Sequence, residues 1–216
     1  MPLLVTSNLL AVILLVILGL SGLVSTFRWV GVAYTHRRRI AVFKLPSDKV
    51  KDLKSVLNSV GGQFTLEVAV SQLGKAKSFY LTLPVKRAKE VAAKFDAEKA
   101  EDYELYYPGG AVVGAYAVHE GSPLKFNINA IDFSEINEIG EGAVVQVVVS
   151  KKTRKGFVVN LRTLISAPSS YQAKEIFSRI KTSLPGAKLR EVKSGEFVDS
   201  VNKRLFDDKE AVTLSL

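Results

Sequence analysis

The sequence predicts an α+β fold, with one N-terminal transmembrane helix followed by two ferredoxin-like βαββαβ units. Three observations predict it. Met1 to Phe27 contains no charged side chain, and its run "LLAVILLVILGLSGLV" is almost wholly aliphatic. "KSFYLTLPVKRAKEVAAKF", Lys77 to Phe95, reads as a strand running into a helix. The same step returns at "GFVVNLRTLISAPSSYQAKEIFSRI", Gly156 to Ile180.

The apolar run is long enough for a bilayer core, which needs about 20 apolar residues in a helix. Its flanks do not suit a cleaved signal peptide, because "MPLLVTSN" carries no basic residue. The positive charges follow instead, at Arg28 and at Arg37, Arg38 and Arg39, with Trp29 and Tyr34 placed as interfacial aromatics. The positive-inside rule then predicts a single-pass inner-membrane protein, N-terminus outside and the remainder cytoplasmic. Residues 1–39 form the expected anchor, 40–109 the first α+β unit and 110–216 the second.

In the first unit "IAVFKLP" reads as a strand ended by Pro46. Val50, Leu53, Leu57 and Val60 then recur at helical spacing, and Gly61-Gly62 supply a stop. "FTLEVAVS" and "KSFYLTLP" are β-rich runs joined by "QLGKA". Val85, Ala88, Ala92 and Phe95 mark one face of the next helix, and "EDYELYYPGG" is the closing strand and turn.

The second unit repeats the order less cleanly. "GAVVGAYAVHE" is a strand, and "NAIDFSEINEI" is a weak helix candidate with Ile131, Phe133, Ile136 and Ile139 as its apolar positions. "GAVVQVVVS" and "GFVVNLRTLIS" are strands meeting at "KKTRKG". Ser169 and Gln172 form a capping box before a helix whose inward positions are Ala173, Ile176, Phe177 and Ile180. "AKLREV" closes the unit, "EFVDSVNKRLF" is a short helix, and "EAVTLSL" is a last strand. That strand, with Ala211, Val212, Thr213 and Leu214, reads as an unfinished edge open to a partner.

The search for chemistry excludes most enzyme classes. With no cysteine, disulfides, thiolate metal sites and cysteine nucleophiles are absent. No window matches GxxxxGK[ST], GxGxxG or GxSxG. Only His36 and His119 could offer imidazole, too few for a zinc site that asks for about three protein ligands. "DAEKAEDYE" holds five acids in nine residues, but nothing apolar brackets them to separate their pKa values. The expectation is a chain that is not an enzyme and needs no cofactor.

The formal net charge is +9, and Arg28 with Arg37 to Arg39 supplies four of those charges before the first acid, Asp48. A second basic cluster, Lys151, Lys152, Arg154 and Lys155, sits at the expected hairpin tip, where it could touch phosphates of nucleic acid or lipid.

"LEVAVSQLGKAKSFYLTLPVKRAKEVAAKFDAEKAEDYELYYPGG" resembles a segment of membrane-anchored proteins of type IV secretion and conjugation systems, of the candidate-phyla bacterial type. "GEGAVVQVVVS", "LRTLISAPSSYQAKEIFSRI" and "FDDKEAVTLSL" are similar to later parts of the same proteins. The resemblance spans most of Leu66 to Leu216 and implies a module that precedes an ATPase motor. The motor is absent, so ATP hydrolysis is not implied and no site residue carries over.

The resulting expectation is a non-enzymatic, membrane-anchored component that docks a secretion-type ATPase or other secretion proteins at the cytoplasmic face. Its partners would be the lipid bilayer and those proteins, with DNA and a homo-oligomer also open. The alternatives are a nucleic-acid-binding module, using Phe79, Tyr80 and Phe157 for stacking, and a sensor of anionic membrane surfaces.

Overall fold

The fold is taken from a computed structural model that describes residues 40–51, 53–70, 76–105, 108–119, 123–184, 186–193 and 195–215. It is built on β1 (Ile40–Leu45), α1 (Leu53–Val60), β2 (Phe64–Val70), β3 (Ser78–Pro84), α2 (Val85–Phe95) and β4 (Glu98–Ala100). Then come β5 (Ala111–Val118), β6 (Leu124–Lys125), β7 (Gly142–Thr153), β8 (Gly156–Ala167), α3 (Ser170–Thr182), β9 (Lys188–Val192), α4 (Gly195–Asn202) and β10 (Val212–Ser215). Short 3-10 turns occupy Ile128–Ala130 and Asp208–Glu210.

All ten strands among the described residues belong to one sheet. Its main path runs β4-β1-β3-β2-β7-β8-β10-β6, and β8 also carries β5, which in turn carries β9. The two halves are fused at β2 and β7, which pair antiparallel from Phe64↔Val149 to Val70↔Ala143. The reason lies in composition. All seven residues of β2 are buried, as are the first eight of β7. Neither strand tolerates water at its edge, so each becomes the other's neighbour.

Among the described residues no helix is long and apolar enough to cross a membrane. The expected class, a transmembrane helix followed by two ferredoxin-like units, is therefore replaced by one mostly antiparallel ten-stranded sheet with four helices. The single-pass inner-membrane location loses its support with it. The apolar run and the expected interfacial residues Arg28, Trp29, Tyr34 and Arg37 to Arg39 lie outside the described residues.

One face of the sheet carries the main core. Leu53, Val56, Leu57 and Val60 of α1 pack there with Ala88, Val91 and Phe95 of α2, and Ala173, Ile176, Phe177 and Ile180 of α3. Ser169 is the N-cap of α3: its hydroxyl accepts from the Gln172 backbone N–H at 3.3 Å and donates to Gln172 Oε1 at 2.7 Å, in place of the backbone-to-side-chain bond of a full capping box. In α2 the buried stripe is rotated from the expected one: Val91 is inside and Val85 is half exposed. The expected helix at 129–139 is only the turn Ile128–Ala130 followed by irregular chain with short turns. Ile131, Phe133 and Ile136 still reach the core, but Ile139 is 83% exposed.

The opposite face is covered by α4 and by the chain around Tyr103 and Leu105. Phe197 of α4 stands edge-on to Tyr116 at 5.0 Å between ring centroids. Gly114, on the strand beneath, has no room for a Cβ because the Phe197 ring occupies that space. This glycine lets the helix lie on the sheet.

Candidate functional site

The register places one polar residue from each of eight strands in a single row across the sheet. It runs Glu98↔Lys44, Lys44↔Tyr80, Tyr80↔Glu67, Glu67↔Gln146, Gln146↔Arg162, Arg162↔Tyr116 and Tyr116↔Arg190. Alternation of side chains along a strand puts them all on one face, and α4 covers the middle of the row. The middle of the row is buried: Glu67 and Arg162 are no more than 1% exposed, and Gln146 is 3%.

Buried charge is tolerated only when paired and hydrogen-bonded. Here the pairing comes from the row and from the chain above it. Glu67 Oε1 accepts from Gln146 Nε2 at 2.7 Å and from Arg204 Nε at 2.9 Å. Glu67 Oε2 accepts from the Tyr103 hydroxyl at 2.8 Å. Gln146 Oε1 accepts from Arg162 Nε at 2.8 Å, while its amide nitrogen also donates to the Val201 carbonyl. Arg162 extends the connection to Ser200 Oγ, the Ser200 carbonyl and the Leu205 carbonyl. Arg204 also donates to Asp102 Oδ1 at 2.7 Å.

The electrostatics follow from this geometry. Burial pushes the Arg162 guanidinium below its ordinary value. For Arg204 burial acts the same way, but Glu67 and Asp102 outweigh it and hold the charge more tightly than usual. Burial and the Glu67 carboxylate push the Tyr103 phenol up.

What the arrangement does is bind the C-terminal end of α4. Arg162, Gln146 and Arg204 reach carbonyls that a helix end leaves without intrahelical partners, at Ser200, Val201 and Asn202. Arg204 itself takes a left-handed backbone conformation, φ 56°, where glycine is the usual residue. Its ion pairs offset the cost, roughly 1–2 kcal/mol for a residue with a Cβ. Asn160 continues the attachment, holding the backbone of Asp207 through both its carbonyl and its N–H. The buried middle of the row is therefore used up internally, while Lys44, Glu98 and Arg190 at its ends are exposed.

The sequence-predicted residues lie elsewhere. Lys151, Lys152, Arg154 and Lys155 do come together, at the tip joining the two twelve-residue strands β7 and β8. Thr153 Oγ1 donates to the Gly156 carbonyl at 2.9 Å and accepts from the Lys155 backbone N–H, which fixes the turn. Lys152 donates to Asn58 Oδ1 at 2.6 Å and lies over the Phe157 ring. Among the described residues no carboxylate forms an ion pair with any of these four cations.

The expected partner edge is paired along one side and partly covered on the other. Val212 to Leu214 pair antiparallel with Val159 to Phe157 of β8, and Leu214 and Ser215 pair in parallel with Leu124 and Lys125 of β6. Ala211 precedes the strand. The backbone approach is so close that the Leu214 carbonyl fills the place of a Cβ at Gly156, whose φ is 139°. Of these residues Leu214 is paired on both sides, whereas Val212 and Thr213 pair with β8 alone and Ser215 with β6 alone.

Of the aromatics considered for stacking on bases, Phe79 and Phe157 are 3% and 4% exposed, and Tyr80 packs against Tyr103 at 4.8 Å. His119 Nδ1 lies 2.9 Å from the Gly186 carbonyl beside an open cavity of about 510 Å³ with Lys188 and Arg190. Where β5 and β10 part on β8, a cavity of about 280 Å³ opens over Leu161, Leu124 and Leu184, with Lys125 in its lining. Among the described residues no group of His, Asp and Glu is placed to hold a metal ion.

Neither a family model nor a curated protein nor a solved structure matches this chain.

Sequence reasoning missed the polar row and one surface feature. Ile139, 83% exposed, and Tyr171, 68% exposed, stand at the end of the sheet away from the basic tip. Glu138 ties the two segments together by accepting from Gln172 Nε2 at 2.6 Å. Tyr171 is hydrogen-bonded to Glu175, and that bond pushes its phenol up. The available signal for the row was a charged or amide residue inside a largely apolar run, as with Lys44 in β1, Glu67 in β2 and Gln146 in β7.

Proposed function

We propose that this chain is a non-enzymatic interaction component that docks a secretion-type ATPase or other proteins of a type IV secretion or conjugation-like assembly. The observation that carries the reading is the hairpin tip. Arg154 and Lys155 stand at a turn fixed by Thr153, with Lys151 and Lys152 exposed on the strand that leads into it, and both strands are anchored in the centre of the sheet. A rigid basic projection suits an acidic protein surface, because little side-chain and backbone freedom is lost on docking. The chemistry-bearing side chains of the sheet support the same reading, since their bonds go to α4 and its following chain.

A photo-crosslinking residue at position 155 of the full chain, in its native cells, tests this. Capture of an ATPase or another assembly protein is the expected result. Adducts consisting solely of nucleic acid would overturn it.

That second outcome belongs to the alternative, a nucleic-acid-binding module. The unpaired cations favour it, and it predicts affinity that falls steeply with salt. The burial of Phe79 and Phe157 removes two of its three stacking residues.

A further inference from the structure

We infer that the cavity of about 280 Å³ at the fork of the sheet binds a free medium-chain monocarboxylate. Its tail lies against Leu124, Leu161 and Leu184, and its head meets Lys125 and Asn127. The cavity shares no residue with the basic tip, so its ligand is independent of the docking reading above.

The fork follows from strand lengths. β8 is twelve residues long, and two shorter strands share the edge it turns away from β7. β10 takes Phe157 to Val159 and β5 takes Arg162 to Ala167. Among the described residues, Asn160 and Leu161 are left between them without a strand partner on that side. The Asn160 side chain holds the backbone of Asp207, whereas Leu161 points to the other face, into the main core with Leu124 and Leu184. Protein interiors are close-packed, and voids larger than a water molecule are few. This one has room for roughly nine groups of the size of water, at about 30 Å³ each. Its deep wall is aliphatic, so ordered water, which needs several polar partners, is a poor filling.

The polar lining selects the head group. The Ser183 hydroxyl accepts from the Asp132 N–H at 3.0 Å and donates to the Arg179 carbonyl at 3.2 Å. The Ile180 and Lys181 carbonyls at the end of α3 are taken by the N–H groups of Ser183 and Leu184. Asn127 Oδ1 accepts from the Asn129 N–H at 3.0 Å, which leaves its amide nitrogen as a donor. Lys125 is exposed, and among the described residues no carboxylate forms an ion pair with it. The side chains left at the mouth are therefore two donors, one of them charged. An ionised carboxylate, which only accepts, is their complement. The aliphatic wall calls for a hydrocarbon tail, and the volume for about eight carbons.

Methyl NMR of the full chain, titrated with hexanoate, octanoate, decanoate and dodecanoate, tests the inference. Saturable shifts at the Leu124, Leu161 and Leu184 methyls are expected, with a Kd for octanoate on the order of 0.1–1 mM. Each methylene that enters the cavity tightens binding about fourfold. The gain stops at about nine or ten carbons, when the space is full. Lys125→Ala weakens octanoate about fivefold and affects octanol much less. Ala130→Phe, at an exposed position of the rim, fills the mouth and abolishes the shifts. Ala187→Phe blocks the same space from a different segment, so a folding defect in one variant does not decide the result. Absence of shifts at these methyls, affinity that keeps rising through dodecanoate, or binding that survives both blocked variants overturns the inference. So does a Lys125→Ala variant that binds octanoate as tightly as the parent.

Discussion

Arg204 Nε lies 2.9 Å from Glu67 Oε1, joining the chain after α4 to the centre of the sheet across 137 positions of sequence. Both side chains are buried, at 3% and 0% exposure. Removing one partner of such a pair leaves an uncompensated charge and costs about 3–5 kcal/mol. Arg204→Met and Glu67→Leu are each expected to lower the unfolding free energy by that order, read from urea denaturation. The double variant is expected to lose much less than the sum, since replacing both charges by apolar groups is often close to neutral.

Tyr103 supplies a pH dependence. Burial and Glu67 favour its neutral phenol, so its folded pKa lies above the unfolded value of about 10. The associated stability is fully present below pH 10 and is lost as pH rises through the folded value. Tyr103→Phe is expected to cost about 1 kcal/mol at neutral pH through the lost hydrogen bond to Glu67. It should also flatten the alkaline limb of a stability profile measured by chemical denaturation.

Asp132 gives the opposite sign at the acid end. Its carboxylate accepts from the Ser134 backbone N–H at 2.8 Å, and that bond, followed by Arg179, holds it below the usual range. The contribution is present above the unfolded value and disappears as pH falls through the folded one. Asp132→Asn should lower the thermal midpoint at neutral and alkaline pH and reduce its slope in the acid range, so that the variant and the parent converge as pH falls through the folded value.

Gly114 and Phe197 form a steric couple. A methyl at position 114 meets the Phe197 ring, so Gly114→Ala is expected to cost about 1–3 kcal/mol, as overpacking does. The same substitution in a Phe197→Ala background should cost markedly less. Equal costs in both backgrounds, read from denaturation midpoints, would show that the ring is not what excludes the side chain.

Much of the secondary structure was legible in the sequence because its signals are local. The Ser169–Gln172 box and the 173/176/177/180 stripe specify α3 from neighbours alone. Gly61 and Gly62, both at positive φ, end α1 where the doublet says a helix should stop. The polar row was not legible. Glu67, Gln146 and Arg162 each look like the solvent side of an alternating strand, and only strand register shows that they stack beneath a covering helix. Arg204 was hidden for the same reason, with its acid 137 residues away. The expected helix around Ile131 to Ile139 failed because Ile131, Phe133 and Ile136 reach the core from irregular chain, without a helical face.

The insertion of β10 between β8 and β6 also has a kinetic consequence. Leu124 and Lys125 acquire their strand partner only from Leu214 and Ser215, ninety residues further along the chain. A nascent chain can lay down β7 against β8 by local zippering, but β6 has nothing to pair with until the far segment has left the ribosome. Closing so long a loop is entropically unfavourable before its contacts form, which makes this corner a late event in folding. Until then the apolar groups of Leu124 and Phe157, both buried in the finished sheet, are exposed to other chains.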